Sequence, residues 1–156
     1  MSRAFPVLTT VALCAAGLSG TPGWPVDVRI CSSLAEALPA GSGPALLVFF
    51  AIDCPVCYEE LLEARFLVDR GGWAVDVVGV SVARRDDLQA FLEKYVWTSP
   101  VVLDRRKAVF RRYNVHEVPY MVMIAGTETL YRDDPYLRPE ARRKELTKCL
   151  TRLFSR

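Results

Sequence analysis

The stretch that decides the fold is Ala45-Leu46-Leu47-Val48-Phe49-Phe50-Ala51-Ile52-Asp53-Cys54-Pro55-Val56-Cys57. Its opening run, Ala45 to Ala51, is apolar without a break and of strand length, the pattern of a strand buried on both faces. Two cysteines with two residues between them follow at once. From Tyr58 a helical pattern runs through Leu61, Leu62, Ala64, Arg65 and Val68 and stops at Gly71-Gly72. Cys54 therefore falls at a helix N-terminus, where the macrodipole and free backbone N–H groups stabilise a thiolate. Cys57 sits one turn further, close enough to close a disulfide and more shielded. Pro55 occupies the first helical turn, where no backbone N–H is required.

Such a pair is suited to dithiol–disulfide exchange, in which one thiolate attacks a disulfide and the other resolves the mixed disulfide. A structural bridge across so few residues closes too small a loop to stabilise a fold much. A zinc site needs further ligands, and the chain offers His116 as its only imidazole and no second CxxC. No metal and no cofactor are expected.

Outward from this stretch, strand and helix patterns alternate. Val26 to Ile30 predicts an edge strand, and Ser32 or Ser33 caps a short helix through Leu38. Ala74 to Val82 is the next strand. Asp86 or Asp87 then caps a helix whose Leu88, Phe91, Leu92 and Tyr95 form an amphipathic stripe. Pro100 to Leu103 is a short strand, and Asp104 caps a helix carrying Ala108, Val109 and Phe110. Tyr120 to Ile124 is a strand, Ala125-Gly126-Thr127 a turn, and Glu128 to Tyr131 the antiparallel return. The last helix begins near Pro139 and runs to Phe154, with Leu146, Cys149, Leu150, Leu153 and Phe154 on one face. A β-α-β opening and a β-β-α close imply an α/β three-layer α/β/α sandwich around a mixed central sheet.

The 156 residues allow one domain with a real core, and 51% hydrophobic with 24% charged residues is a globular balance. A formal charge of +2, without a basic run interleaved with stacking aromatics, gives no reason to expect nucleic acid. Residues 1–20 differ: Arg3 supplies a positive start, Phe5 to Leu18 is apolar apart from Thr9 and Thr10, and small residues follow. That is the layout of a secretory signal peptide, with an uncleaved anchor as the alternative. The apolar run is shorter than the roughly 20 residues that span a bilayer. Residues 21–25 read as a linker and 26–156 as the folded domain. Cys14 could mark a lipoprotein, but Leu13 is bulky where lipid attachment wants a small residue.

Export bears on the five cysteines. Removing the leader removes Cys14 and leaves Cys31, Cys54, Cys57 and Cys149, an even set in an oxidising compartment. With Cys54 and Cys57 paired locally, Cys31 and Cys149 become a candidate structural disulfide, which the chain-entropy model puts at about 4–5 kcal/mol. The alternative is two independent buried thiols.

Phe49 to Cys57 resembles the active-site segment of thioredoxin-like proteins of the TlpA/ResA type. Val118-Pro119 ahead of the strand at Tyr120 resembles that family's cis-proline segment, the alternative being an ordinary trans proline. The helix at Asp87 to Tyr95 and the segment Pro100 to Asp104 look like the family's insert. The resemblance implies catalytic roles for Cys54, Cys57 and Pro119, and substrate binding at the Val118 backbone. It also implies an exported, periplasmic or membrane-tethered reductase of protein disulfides, with cytochrome c precursors as one substrate. A membrane electron-donor protein would be its partner, and the protein itself is expected to be monomeric.

Some positions depart from the family. The buried acid it carries six residues before the first cysteine is Val48 here, and the glutamate of ResA-like proteins falls near Arg84. Its tryptophan before the first cysteine is Asp53, whose carboxylate disfavours a neighbouring thiolate. Glu59 and Glu60 are substitute proton-relay candidates, otherwise exposed acids complementing the helix dipole, and Asp53 and Glu60 are possible modulators. His116 reads as a loop residue at the site's rim, and Tyr120 as a residue that narrows the substrate groove. Arg142, Arg143, Lys144, Lys148 and Arg152 read as the solvated face of the last helix. Two other functions stay open. One is a peroxiredoxin-like peroxidase, weakened by Ala51 where that family has Thr or Ser. The other is an SCO-like copper-delivery protein, for which the cysteine spacing is short and His116 misplaced.

Overall fold

The computed structural model describes residues 28–155, so the leader, the linker and the start of the expected edge strand lie outside the described residues. The elements in chain order are β1 (Ile30–Cys31), α1 (Leu34–Ala37), β2 (Ala45–Phe49), α2 (Pro55–Gly71), β3 (Asp76–Ser81) and α3 (Arg85–Lys94). They continue with β4 (Val101–Leu103), α4 (Ala108–Arg112), β5 (Tyr120–Ala125), β6 (Glu128–Arg132) and α5 (Pro139–Phe154). The strands make one mixed sheet in the order β1-β4-β3-β2-β5-β6. β1, β4, β3 and β2 run parallel, and β5 and β6 antiparallel to their neighbours.

β2 is buried along its whole length, as its unbroken apolar run predicts. Alternate residues feed two cores. Leu46, Val48 and Phe50 pack with α2, α3 and α5 on one face, while Leu47 and Phe49 pack with α1 and α4 on the other. The expected α/β/α sandwich is therefore present. Gly79 in β3 has a packing reason: a Cβ there would come within 2.9 Å of the Phe50 ring. That ring stacks on Phe91 of α3, and Tyr58 of α2 lies 4.0 Å from the Tyr95 ring. The aromatic stripe of α3 thus clamps the first turn of α2, which carries the cysteines. α2 ends at Gly72, whose left-handed backbone (φ 64°) suits glycine.

Helix starts differ in detail from the sequence reading. Ser33 caps α1 by accepting from the Glu36 N–H. Asp86 and Asp87 do not cap α3; they lie in its first turn, where carboxylates complement the dipole, and Arg84 holds the cap position without a side-chain bond. Asp104 lies upstream of the cap residue Lys107, yet its carboxylate accepts from the N–H groups of Ala108, Val109 and Phe110 and does the work of a cap. Among the described residues, no helix is long and apolar enough to cross a membrane.

The candidate Cys31–Cys149 bridge is not formed. Both thiols are free and buried, but Cys31 belongs to the core under α1 and α4 and Cys149 to the core under α2 and α5. The sheet lies between them. Side chains alternate along β1, so Ile30 faces the Cys149 side while Cys31 faces away. Alkylation of the unreduced, denatured protein followed by mass mapping is expected to label Cys31 and Cys149 and to leave Cys54 and Cys57 linked. A Cys31–Cys149 cross-linked peptide would contradict this arrangement.

Candidate active site

Cys54 and Cys57 form a disulfide at the N-terminus of α2, with their Cα atoms 5.3 Å apart. Cys54 is the N-cap in extended backbone, and its Sγ accepts from the Cys57 N–H at 3.2 Å. The cap position thus supplies a backbone donor and the positive end of a long helix to whatever charge Cys54 carries. Cys54 is half-buried, whereas Cys57 is 0% exposed within the core shared with Leu61 and Met121. The accessible sulfur is the one at the helix end, so Cys54 can meet a substrate and Cys57 can meet only Cys54.

The strand register brings the second element of the site. Phe49, the last residue of β2, pairs with Tyr120, the first of β5. The chain before Tyr120 therefore lies beside the chain leaving β2 for Cys54. The Val118-Pro119 bond is cis, as the resemblance implies. Val118 packs partly against both cores, on one side together with Ile52 and Cys54. Tyr120 is partly buried against the core under α4 and does not line the cleft beside the site. Asp53 and Glu59 are exposed, Val48 is fully buried, and Arg84 is exposed. His116 lies in an exposed loop, its Nε2 2.9 Å from Asn114 Oδ1. Among the described residues, no group of three metal-ligating side chains comes together.

Behind the disulfide lies a buried charge cluster that includes Arg142, expected on a solvated face, and Glu60, expected as a relay candidate or else an exposed acid. Glu60, one turn after Cys57, is 5% exposed, and its Oε2 has no hydrogen-bond partner. Arg142 of α5 is 6% exposed and Asp133, which follows β6, 4%. Arg142 Nε donates to both Asp133 oxygens at 3.0 Å, and its Nη2 donates to Asp133 Oδ2 and, at 3.1 Å, to the carbonyl of Pro119. The Tyr131 hydroxyl donates to Asp133 Oδ1 at 3.2 Å, and the Asp133 N–H to the Met121 carbonyl at 2.9 Å. One guanidinium therefore ties α5, the segment after β6 and the cis-proline together. The remaining cations behave as expected: Lys144, Lys148 and Arg152 are exposed, and Arg143 lies 3.5 Å from Glu63.

Burial pushes the Glu60 carboxyl above its ordinary range, opposed by the charges of Arg142 and Arg143 and assisted by those of Asp133 and Glu63. Burial and then the Asp133 charge push the Tyr131 hydroxyl up, which keeps it a donor. The burial of Glu60 and Arg142 leaves a trace in spacing: Cys57, Glu60, Leu61, Ala64 and Val68 share one helical face, as do Arg142, Leu146, Cys149 and Leu150.

Two expectations follow from this cluster. Arg142→Met leaves Asp133 charged and unpaired in the interior, so urea unfolding is expected to show a loss of about 3–5 kcal/mol. Adding Asp133→Asn should recover part of it; equal losses in the single and double variants would mean that the pair is not the cause. A raised folded pKa means that Glu60 favours folding below its unfolded value, and that this contribution is lost as pH rises through the folded value. Glu60→Gln stays neutral, so its melting temperature should match wild type near pH 4 and exceed it by about pH 8. A constant offset across that range would contradict the burial of an ionisable Glu60.

The model of the AhpC/TSA family matches residues 32–132. Comparison with curated proteins returned no match. Among solved structures, StoA from Bacillus subtilis aligns with a TM-score of 0.57 at 19% identity, over 71% of this chain and 84% of that one. A secreted Mycobacterium tuberculosis disulfide oxidoreductase homologous to E. coli DsbE aligns with a TM-score of 0.53 at 22% identity, over 76% and 85%. MTB DsbF, in its mixed oxidised and reduced forms, aligns with a TM-score of 0.58 at 24% identity, over 76% and 84%. At these identities the structural likeness speaks for a thioredoxin-like fold. The family match covers most of the chain: it belongs to the AhpC/TSA family, on a thioredoxin-like fold that carries a bonded cysteine pair at Cys54 and Cys57.

Proposed function

We propose that this protein reduces disulfides of other proteins outside the cytoplasm by dithiol–disulfide exchange. The observation that carries the reading is the asymmetry of the pair, a reachable Cys54 capping α2 and a fully buried Cys57 behind it. In the reduced protein the Cys54 thiolate attacks a substrate disulfide, forming a Cys54–substrate bond and releasing one substrate thiolate. Cys57 loses its proton and attacks Cys54 Sγ; the Cys54–Cys57 bond forms and the second substrate thiolate leaves. Both electrons pass to the substrate.

Cys57 is shut off from water, so its proton needs a nearby acceptor. Glu60 stands one helical turn away, within the reach of i, i+3 neighbours, with a free carboxylate oxygen. It takes that proton in this scheme. The acids also bear on direction. Asp53 adjoins Cys54 and Glu60 lies one turn from Cys57; where ionised, each opposes thiolate charge, against the pull of the α2 N-terminus on Cys54. In this reading the acids prevail, so that the dithiol form is disfavoured and the pair is a reductant. Repeated turnover then needs electrons, and a membrane electron donor is the partner in keeping with the leader-like residues 1–20. Precursors of cytochrome c fit as substrates through family resemblance alone.

The test is reduction of insulin with dithiothreitol as donor. Wild type should accelerate it, Cys54→Ser should abolish the acceleration, and Cys57→Ser should accumulate a mixed disulfide. Glu60→Gln should slow release from that intermediate on the order of tenfold or more while leaving Cys54 alkylation unchanged. Wild type no faster than Cys54→Ser would refute the reading. The AhpC/TSA match favours one other reading, peroxide as the oxidant of Cys54. Consumption of hydrogen peroxide faster than insulin reduction under the same donor would replace disulfides with peroxide as the substrate.

A further inference from the structure

Beside the disulfide lies a cleft of about 410 Å³ that no step above uses. Its floor is apolar, with Phe50, Val82, Phe110 and Val115, and it reaches the site itself through Ala51 and Val118. Its lining also includes Lys107 and Arg111, both exposed, and the exposed His116 and Glu117. Arg105, Arg106 and Arg112 are exposed on the same short segment, Arg112 beside a separate pocket with Leu34 and Leu38, and Arg111 Nη1 donates to the Arg106 carbonyl at 2.7 Å. Among the described residues, none of these five has a carboxylate within ion-pair distance. The nearby Asp104 does not neutralise them, because it is buried and spends both oxygens on backbone N–H groups of α4.

Backbone strain falls at the same place. Lys107 and Asn114, which both line the cleft, hold left-handed backbone at φ 52°. Asparagine tolerates that region; lysine adopts it less readily, and such strain clusters at working surfaces.

We propose that this cleft is a subsite for an acidic side chain close to the reactive cysteine of the substrate protein. The inference rests on the exchange reading, with the substrate lying extended along Val118. A chain passing Val118 toward Asn114 enters the cleft within a few residues, since an extended chain advances about 3.3 Å per residue. There its apolar atoms meet the floor and a carboxylate meets Lys107 and Arg111. Charge of one sign on the rim of a low-dielectric cleft steers and selects an oppositely charged partner. An anionic membrane surface would match the sign of the patch, but a concave site continuous with Val118 fits a polypeptide better.

The experiment uses disulfide-linked peptide dimers with Glu, Gln or Lys flanking the cysteine, mixed with the reduced protein at low salt. Second-order rates are read by acid quench and mass spectrometry. Glu peptides should react about tenfold faster than Gln peptides, with Lys peptides slower still, and about 0.5 M salt should erase the order. In Lys107→Gln/Arg111→Gln, the Glu-to-Gln ratio should fall to near one. The ratio is taken within one variant, so a general loss of activity does not imitate the result. Equal rates for all three peptides in wild type, or an unchanged ratio in the double variant, would overturn the subsite. If no peptide is reduced at all, the exchange reading fails. In that case, fluorescence anisotropy of Cys→Ser monomer peptides still tests the cleft, which stands on tighter binding of the Glu peptide and falls without it. Sedimentation with phosphatidylglycerol vesicles that requires Lys107 and Arg111, without a peptide preference, would reassign the patch to membranes and overturn the proposal.

Discussion

The placement of Cys57 in the core constrains the rest of the site. A residue with no exposure can react only with the sulfur delivered to it, so Cys54 must stand at the N-cap of α2 and nowhere else. β2 enforces this placement. It is buried on both faces, pairs with β3 and β5 over its full length, and releases the chain into the α2 cap within a few residues. The same pairing sets Tyr120 against Phe49 and so puts Pro119 at the same end of the sheet. Strand register, rather than any direct bond between the two segments, assembles the cysteines and the cis-proline.

The charge cluster behind the cysteines is a second constraint, and a costly one. A buried ion pair rarely adds stability over apolar packing, although breaking it by removing one partner is severe. Here the Arg142 guanidinium also holds the Pro119 carbonyl, and Tyr131 supports Asp133. The pair therefore also holds the cis-proline segment in place. Glu60 completes the cluster with an unpartnered oxygen. In the proposed exchange this buried acid would join folding electrostatics to the chemistry, since the burial that raises its pKa also suits it to take a proton.

Much of this was legible in residue order. The unbroken apolar run at Ala45, the amphipathic stripe of Leu88, Phe91 and Leu92, and the turn at Gly126 mark their elements because each periodicity reports which face is buried. Export, by contrast, concerns residues outside those described. The misreadings share a cause. Arg142 reads as solvated by residue type, and for Glu60 an exposed acid stands beside the relay role, although each sits on the apolar stripe of its helix; a charge there is tolerable only with a partner from elsewhere in the chain. Asp133, which supplies that partner for Arg142, has no local signature. Cys31 and Cys149 looked like a pair by elimination, but the side-chain alternation of β1 sends Cys31 to the opposite face of the sheet. The cationic segment from Arg105 to Arg112 went unremarked because its meaning depends on the cleft it borders.

The central proposal is that this cysteine pair donates electrons to other disulfides. Its most direct test is the reduction potential of the Cys54–Cys57 couple, measured by equilibration with a redox buffer of known potential. A value near that of thioredoxin, about −270 mV, is the expected result. A value near that of DsbA, about −120 mV, would mean that the reduced form is the stabilised one, and would contradict the account.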